Sequence, residues 1–286
     1  MRSMKIGASA FAWTSKFEVR HLDILPVLKE LGLRGVEIPM FDPGALPVGS
    51  IRNAVQRHNL ECTVCAILPS QFNPISPDRD TRLAAIQHLK RCVETTAELG
   101  AKLIGGPLFA PIGYLPEHRP TPDEWTWATE AFQALREDLH SSEITLSIEP
   151  VNRSETFLVR TAEDAIRLCE SIGDPRIGVT IDTFHANIEE CSIPGAIRRL
   201  GHHLRHVHAS ENDRGPLGRG HVPFSQIMAA LREIEFDGFV MIEGFGYSPT
   251  EQHAPGYLWA NLDVSPEIAV SESARYLKSI LSTSES

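Results

Sequence analysis

The sequence contains no apolar run that could cross a membrane and no concentration of basic residues. A membrane-spanning helix needs about 20 consecutive, mostly apolar residues. Nucleic-acid binding needs a basic surface that neutralises phosphates. Here the 27 Lys and Arg residues are scattered among 37 Asp and Glu residues, and the net charge is −10. We therefore expect neither a membrane nor a nucleic acid as a partner.

Cysteine is also scarce, with five dispersed residues in 286. An odd, dispersed set favours a reducing compartment, and the first residues lack the apolar stretch of a signal peptide. We therefore expect a cytoplasmic protein. Cys62 and Cys65 form a C-x-x-C pattern within the strand-like run ECTVCAIL. A separation of three puts their side chains on opposite faces of a strand, which favours core packing over a redox or zinc site.

No linker rich in proline, glycine or serine divides the chain. Its length suits either one large barrel or two small domains, and without a linker we predict a single domain over residues 1–286. The first strand-like run is not followed by the G-x-G-x-x-G pattern of a dinucleotide-binding sheet. This absence weighs against the main alternative architecture, a doubly wound open sheet.

Eight short apolar runs alternate with longer amphipathic stretches. Near-continuous apolar runs are typical of parallel strands covered on both faces. The amphipathic stretches have helical spacing, and several end at glycines that would cap a helix, namely Gly32, Gly100, Gly173 and Gly238. Eight strands, each followed by a helix, predict a (β/α)8 TIM barrel of the α/β class. The predicted strands are residues 5–9, 35–39, 62–68, 102–107, 144–150, 177–182, 204–209 and 239–244.

Four residues of metal-ligand type stand at the ends of the fifth to eighth predicted strands: Glu149, Asp182, His208 and Glu243. The active site of such a barrel gathers at the carboxyl ends of its strands, so we expect the four side chains to converge on one divalent ion. Three carboxylates and one imidazole suit Mn²⁺, Co²⁺ or Mg²⁺ better than structural zinc. A single acidic residue at a strand end is more often a helix cap or solvated, but four consecutive strand ends favour the metal site.

Other polar residues accompany these strand ends. Glu155, His185 and Arg214 follow Glu149, Asp182 and His208 in sequence, and such groups around a metal would orient a polyhydroxylated ligand with a carbonyl group. His206 faces the same side of its strand as His208 but lies deeper. We expect His206 to be a buried, hydrogen-bonded histidine rather than a ligand.

The segments EPVNRSET, IDTFHANIEE, HVHASENDRGPLGRG and MIEGF carry a resemblance to a known family. They are similar to the metal and substrate segments of the ketose 3-epimerases, the D-tagatose/D-psicose 3-epimerase group of the xylose-isomerase-like barrels. The resemblance spans nearly the whole chain, and its most specific part is residues 145–245.

The resemblance implies both an activity and roles for the residues above. Glu149, Asp182, His208 and Glu243 would bind a Mn²⁺-type ion, and Glu149 and Glu243 would also be the catalytic acid and base. Glu155, His185 and Arg214 would bind the hydroxyl and carbonyl end of a sugar. The reaction implied is inversion at C3 of a free ketose through a cis-enediolate, and the family tendency implies a homodimer or homotetramer.

Four other functions remain open. The same metal site would serve an aldose–ketose isomerase or an inosose-type dehydratase. A divalent-metal endonuclease would need more histidine ligands and a basic groove, against which the ligand count and the net charge of −10 argue. A non-catalytic sugar-binding protein is the fourth. The segment GPLGRG after the seventh strand could cradle a phosphate, or it could be a simple turn.

The chain departs from the family pattern near its first strand and has a long segment after its last. Ser9 stands where family members often carry an aromatic residue. The aromatic residues Trp13, Phe109 and Tyr114 could line a pocket or anchor loops. Residues 246–264, which include Tyr257 and Trp259, are long for an unstructured connection, so we expect a lid or a subunit contact.

Overall fold

The computed structural model describes residues 4–245 and 264–282. Its eight strands are all parallel and form a closed barrel in which the last strand pairs with the first. This confirms the predicted TIM barrel, and each observed strand overlaps its predicted run. The strands are β1 (Lys5–Ser9), β2 (Gly35–Met40), β3 (Glu61–Ala66), β4 (Leu103–Gly106), β5 (Thr145–Ile148), β6 (Ile177–Asp182), β7 (Leu204–Ala209) and β8 (Phe239–Ile242).

Ten α-helices surround the barrel in the described part of the chain, whereas one helix after each strand would give eight. The connection from β4 to β5 and the connection from β6 to β7 each contain two helices. The helices are α1 (Ile24–Glu30), α2 (Val48–Arg57), α3 (Arg79–Glu98), α4 (Pro122–Gln133), α5 (Arg136–Ser142), α6 (Ala162–Ile172), α7 (Thr183–Glu189), α8 (Ile193–Leu200), α9 (Phe224–Glu233) and α10 (Pro266–Ser282).

Helix α6 shows how the local sequence fixes these elements. Thr161 and Asp164 form a reciprocal capping box at its start, which satisfies two backbone amides that would otherwise lack partners. Gly173 ends the helix in the left-handed conformation, with φ of +66°. The apolar face between these ends, including Leu168 and Ile172, is buried against the barrel.

Three of the four predicted capping glycines have the expected left-handed conformation, and Gly238 does not. Helix α9 ends at Glu233, and Glu235 takes the positive φ of 54° instead. Gly238 is required for a different reason, because a Cβ there would lie 2.6 Å from the carbonyl oxygen of Arg205. The glycine at position 238 therefore allows its backbone to lie close to that of Arg205 and does not cap a helix.

The hydrophobic core fills the barrel and the layer between the strands and helices. Cys62 belongs to this main core, whereas Cys65 packs with Phe11 and Phe245 in a separate apolar group at the end of the barrel. Both thiols are buried and free, as expected for core packing. None of the helices in the described ranges is both long and apolar enough to span a bilayer. Of the predicted lid, residues 246–263 lie outside the described residues.

Gly106, at the end of β4, gives a test of how tightly this end of the barrel is built. Its φ is +130°, and an added Cβ would collide with the carbonyl oxygen of Ala66. We expect Gly106→Ala to lower the free energy of unfolding by more than about 1 kcal/mol, measured by urea denaturation. Gly49→Ala is the control, because the α2 position is open and has no positive φ; its stability should be unchanged or slightly higher. Equal stability of the two variants would contradict this account.

Candidate metal centre and active site

The structure brings together the four predicted metal ligands. Asp182 and His208 lie at the ends of β6 and β7 and are paired in register, while Glu149 and Glu243 come one residue after β5 and β8. All four side chains are buried, and one ligand atom from each lies within 4.8 Å of the others. We call these four residues the carboxylate–histidine cluster.

Backbone hydrogen bonds hold the two glutamates that stand beyond their strands. The amide of Glu149 donates to the carbonyl oxygen of Gly106 at 3.0 Å, and the amide of Glu243 donates to that of Ala209 at 2.9 Å. These bonds continue the parallel pairing by one residue. Both glutamate side chains therefore start from fixed positions at the rim of the barrel.

Within the cluster, the imidazole of His208 faces the two glutamates. Its Nδ1 lies 3.1 Å from Glu149 Oε1 and 3.6 Å from Glu243 Oε1. The two carboxylate oxygens of Asp182 have different partners. Oδ1 accepts a hydrogen bond from the Phe184 amide at the start of α7, and Oδ2 accepts one from Arg214. These two hydrogen bonds fix the orientation of the Asp182 carboxylate beside the cluster.

Burial and neighbouring charges shift the pKa values of the cluster. Burial raises the pKa of Asp182 to about 6, an effect that Arg214 opposes and Glu243 reinforces. Burial also raises the pKa of Glu243, although His208 and Arg214 oppose the rise. Burial alone would lower the pKa of His208, but Glu243, Glu37 and Glu149 outweigh it and raise that pKa well above its usual value.

The donor set fits a divalent cation. Buried carboxylates are costly unless positive charge compensates them, and three converge here with one imidazole. A set rich in oxygen suits Mn²⁺, Mg²⁺ or Co²⁺, whereas structural zinc prefers sulfur and nitrogen. The residues present therefore fit the type of ion that the sequence predicts.

Glu37 on β2 is a residue that the sequence analysis missed. It is fully buried, and its carboxylate lies beside His206 and His208. Burial would raise the pKa of Glu37, but these two histidines lower it far below its usual value. The sequence did contain a sign of this role. Glu37 stands within the apolar run GVEIP, and an acidic residue buried in such a strand requires a partner. His206 is fully buried and pairs with Glu37, as expected for a histidine that is not a ligand.

Glu155, His185 and Arg214 lie together on one side of the cluster, joined by Asn152, which the sequence analysis did not single out. The Asn152 amide Nδ2 donates to Glu155 Oε1 at 2.9 Å and lies 2.8 Å from His185 Nδ1. His185 Nε2 lies 3.3 Å from the Arg214 guanidinium. Burial, together with Arg214 and His208, lowers the pKa of His185 well below its usual value, so its imidazole is neutral.

Arg214 is the cation that connects this group to the cluster. Its Nη1 donates to Asp182 Oδ2 at 2.7 Å and to Glu243 Oε2 at 2.9 Å. The guanidinium carbon lies 4.0 Å from the ring centroid of Phe184 and 4.8 Å from that of Phe245. Two aromatic rings thus fix a planar cation in place. The backbone of Arg214 has a φ of +61°, a strained conformation of the kind that concentrates at functional sites.

The three aromatic residues considered for a pocket each have a packing or hydrogen-bond partner in the protein. Phe109 is fully buried in the main core, Trp13 donates to Glu267 on α10, and Tyr114 packs edge-on against Phe157. These contacts are those of residues that anchor the core and loops. A separate apolar group lies beside the cluster and consists of Phe11, Cys65 and Phe245, with Phe41 and Ile67 packed against them.

The glycine-rich segment after β7 is organised around a buried carboxylate. Glu211 is fully buried and accepts from the backbone amides of Asn212, Gly218 and Val222. The Asn212 side chain accepts from the amide of His221. Within GPLGRG itself the amides of Gly215, Leu217, Gly218 and Arg219 all donate to groups of the protein, so the segment is built as an internally bonded turn, and these amides are not free to bind a phosphate.

The chain as a whole is similar to known sugar epimerases. Residues 25–280 match the family described as xylose isomerase-like TIM barrel. A ketose 3-epimerase of Arthrobacter globiformis is 30% identical over 262 residues, which are 91% of this chain and 90% of that protein. An L-ribulose 3-epimerase of Mesorhizobium japonicum is 29% identical over 261 residues, or 90% of this chain and 88% of that protein.

A solved structure of a 3-epimerase is also similar to this chain. The structure of an L-ribulose 3-epimerase superposes with a TM-score of 0.90 at 26% sequence identity. The match covers 99% of this chain and 97% of that chain. The similarity therefore extends over the whole barrel, including the strand ends that carry the carboxylate–histidine cluster.

The raised pKa of Asp182 predicts how metal binding depends on pH. Between about pH 4 and pH 6, Asp182 is more protonated in the folded metal-free protein than in the unfolded chain, so this group makes folding less favourable as pH rises through that range. A metal ion must displace the protons on Asp182 and on His208 Nδ1. We therefore expect the increase in melting temperature caused by Mn²⁺ to be small near about pH 5 and larger near about pH 7.

Differential scanning calorimetry with and without Mn²⁺ measures this increase. Asp182→Asn is the control and should show little stabilisation by Mn²⁺ at either pH. A stabilisation that is independent of pH, or one that Asp182→Asn retains in full, would contradict the assignment of Asp182 as a ligand.

Proposed function

Because the chain belongs to the xylose isomerase-like TIM barrel family and, within it, to the ketose 3-epimerase group, we propose that it inverts C3 of a free ketose with the help of one divalent metal ion. Membership of the group, which the sequence segments indicated, is confirmed. The chain is an enzyme of the isomerase class. The position of epimerisation, the ion and the roles of individual residues are our proposal.

The observation that carries the proposal is the presence of two glutamates in one buried metal-ligand cluster. Glu149 and Glu243 follow different strands, and both lie within 4.8 Å of Asp182 and His208. Epimerisation needs one group that removes a proton from a carbon and a second that returns a proton to the opposite face. Two carboxylates around one ion meet that need, whereas 1,2-isomerisation can proceed with one.

In the proposed reaction, the ketose binds by its C2 carbonyl and C3 hydroxyl oxygens. One glutamate, as the carboxylate, removes the proton from C3. The electrons of that C–H bond form the C2–C3 double bond of a cis-enediolate, and the electrons of the C2 carbonyl bond move onto its oxygen. The other glutamate, which starts protonated, then gives its proton to C3 from the opposite face, and the two glutamates exchange protonation states. A metal ion held by Glu149, Asp182, His208 and Glu243 would supply Lewis-acid stabilisation of the developing negative charge. The raised pKa of Glu243 suits a group that must both accept and release a proton.

Glu155, His185 and Arg214 are proposed to orient the sugar. The Arg214 guanidinium offers donors to the oxygens of the reacting end, and its contact with Asp182 and Glu243 keeps it beside the cluster. The neutral His185 accepts from Asn152 at Nδ1, which leaves its proton on Nε2, facing Asp182 and Arg214. These fixed donors would hold the hydroxyl groups in position for proton transfer.

Two features favour a free sugar over a phosphorylated one. The glycine-rich segment uses amides of Asn212, Gly218 and Val222 to bind Glu211. The apolar group around Phe11, Cys65 and Phe245 adjoins the cluster, so the carbons remote from the reacting end would meet apolar side chains rather than cations.

The rival functions are less well supported. Both candidate metal-ligand groups in the described ranges share His208 as their single histidine, unlike the multi-metal site that an endonuclease requires. An isomerase or a dehydratase would use the same ligands, and the similarity to 3-epimerases is the reason to prefer epimerisation. We further propose that the ion is Mn²⁺, for which Co²⁺ or Mg²⁺ could substitute. The protein is proposed to form a homodimer or homotetramer and to be located in the cytoplasm.

The proposal is tested by incubating the Mn²⁺-loaded protein with a panel of free ketoses in D₂O and following the products by NMR. We expect a second ketose that differs at C3 and carries deuterium at C3, since the second glutamate delivers a deuteron that it has taken from the solvent. Deuterium at C1 together with an aldose would identify an isomerase, and loss of water would identify a dehydratase. Binding without any product would identify a sugar-binding protein.

Glu149→Gln and Glu243→Gln test the acid–base pair in the same assay. Each variant should lose about 100-fold to 10,000-fold in turnover, because the amide neither takes nor returns the proton. Glu233→Gln is the matched control, since Glu233 is exposed and pairs with Arg198 on the surface; its turnover should equal that of the wild type. Full turnover in either active-site variant would overturn the mechanism.

A further inference from the structure

Glu37 is a buried carboxylate that the proposed reaction does not use. It lies in the middle of β2, and its side chain points into the barrel interior beneath the carboxylate–histidine cluster. Its Oε2 accepts a hydrogen bond from Thr63 Oγ1 at 3.1 Å and lies 2.7 Å from His206 Nε2. Two donors from β3 and β7 therefore fix one oxygen of this carboxylate.

The other oxygen of Glu37 faces a ligand of the cluster. Glu37 Oε1 lies 3.0 Å from His208 Nε2, which is within ion-pair distance. Neither atom has a hydrogen-bond partner among the described residues. Glu37 Oε1 is consequently the acceptor best placed for a proton on His208 Nε2.

The two nitrogens of His208 thus face different surroundings. Nδ1 faces Glu149 and Glu243, and Nε2 faces Glu37. A neutral imidazole carries one proton, and the nitrogen that binds a metal must be the one without it. For Nδ1 to be the ligand, Nε2 must keep the proton and needs an acceptor nearby. Carboxylates commonly perform this task for metal-bound histidines.

We propose that Glu37 is a positioning residue that keeps the proton of His208 on Nε2 and fixes the orientation of the ring, so that Nδ1 is available as the metal ligand. Thr63 and His206 hold Glu37 in place for this purpose. The inference rests on the proposed metal site and adds a residue that acts on it through His208.

A different role for Glu37 must be distinguished from this one. Glu37, Cys65, His208 and Glu243 also have ligand atoms within 4.8 Å of one another. If Glu37 were itself a ligand in a site with Cys65, then Cys65→Ser would weaken metal binding. Under our proposal Cys65 is not a metal ligand, and Cys65→Ser should bind Mn²⁺ as tightly as the wild type.

Glu37→Gln tests the proposal with almost no change in volume. The amide oxygen can still accept from Thr63 and His206, but the amide nitrogen then faces His208 Nε2 and donates to it. The proton of His208 is thereby driven onto Nδ1, where the ion should bind. We expect the dissociation constant for Mn²⁺, measured by electron paramagnetic resonance of the free ion, to rise about 10-fold to 100-fold. Turnover should recover as Mn²⁺ is raised to saturation, with the KM for the ketose close to that of the wild type.

Two further variants serve as controls. Thr63→Val removes one of the two donors to Glu37 Oε2 but leaves His206 to hold that oxygen and leaves the contact with His208, so its Mn²⁺ affinity should remain close to wild type. Glu37→Asp keeps an acceptor on a shorter side chain and should bind Mn²⁺ more tightly than Glu37→Gln. If Glu37→Gln does not fold, the comparison of Glu37→Asp with Thr63→Val decides, and Glu37→Asp should show the weaker binding.

The outcomes separate this inference from the proposed function. A Glu37→Gln protein that binds Mn²⁺ like the wild type, with only its metal-free melting temperature lowered, would show a role in core packing alone and would overturn the inference. Weaker binding by Cys65→Ser would also overturn it, in favour of Glu37 as a ligand. A wild-type protein that binds no Mn²⁺ would instead overturn the proposed function.

Discussion

Burying several carboxylates around one imidazole is the constraint on which this end of the barrel depends. Glu37, Glu149 and Glu243 all lie within 3.6 Å of a nitrogen of His208, and Asp182 completes the group through Arg214. Charges removed from water are unfavourable unless opposite charges or hydrogen bonds offset the loss. His208, Arg214 and a divalent cation would together provide that compensation. The pKa shifts of the cluster are a consequence of the same crowding.

The closed barrel makes this crowding achievable. Its parallel strands end at one rim, so side chains from β5, β6, β7 and β8 meet although they are far apart in sequence. Neighbouring chain segments approach each other closely at the rim. At Gly106, for example, even an added Cβ would collide with the carbonyl oxygen of Ala66. Rigid strands hold the proposed ligands, while loops supply Glu155 and Arg214. Such a division suits a site that must hold an ion firmly and orient a substrate.

The sequence predicted the barrel and the four clustered residues because both depend on local patterns. Apolar runs mark the strands, and a ligand-type residue at the end of each run marks the rim. Glu37 was missed because its importance depends on His206 and His208, which only the closure of the barrel brings near β2. Gly238 was misread as a helix cap, since sequence does not distinguish a left-handed turn from a close backbone approach. Asn152 joins the site through contacts with Glu155 in its own loop and with His185 on α7, and the contact with α7 follows no sequence period.

Anomalous X-ray diffraction from crystals grown with Mn²⁺, recorded on both sides of the manganese absorption edge, tests the central claim most directly. The account predicts one strong peak within bonding distance of Glu149, Asp182, Glu243 and the Nδ1 atom of His208. A peak bounded instead by Glu37, Cys65 and His208 Nε2, or the absence of any peak inside the barrel rim, would contradict it.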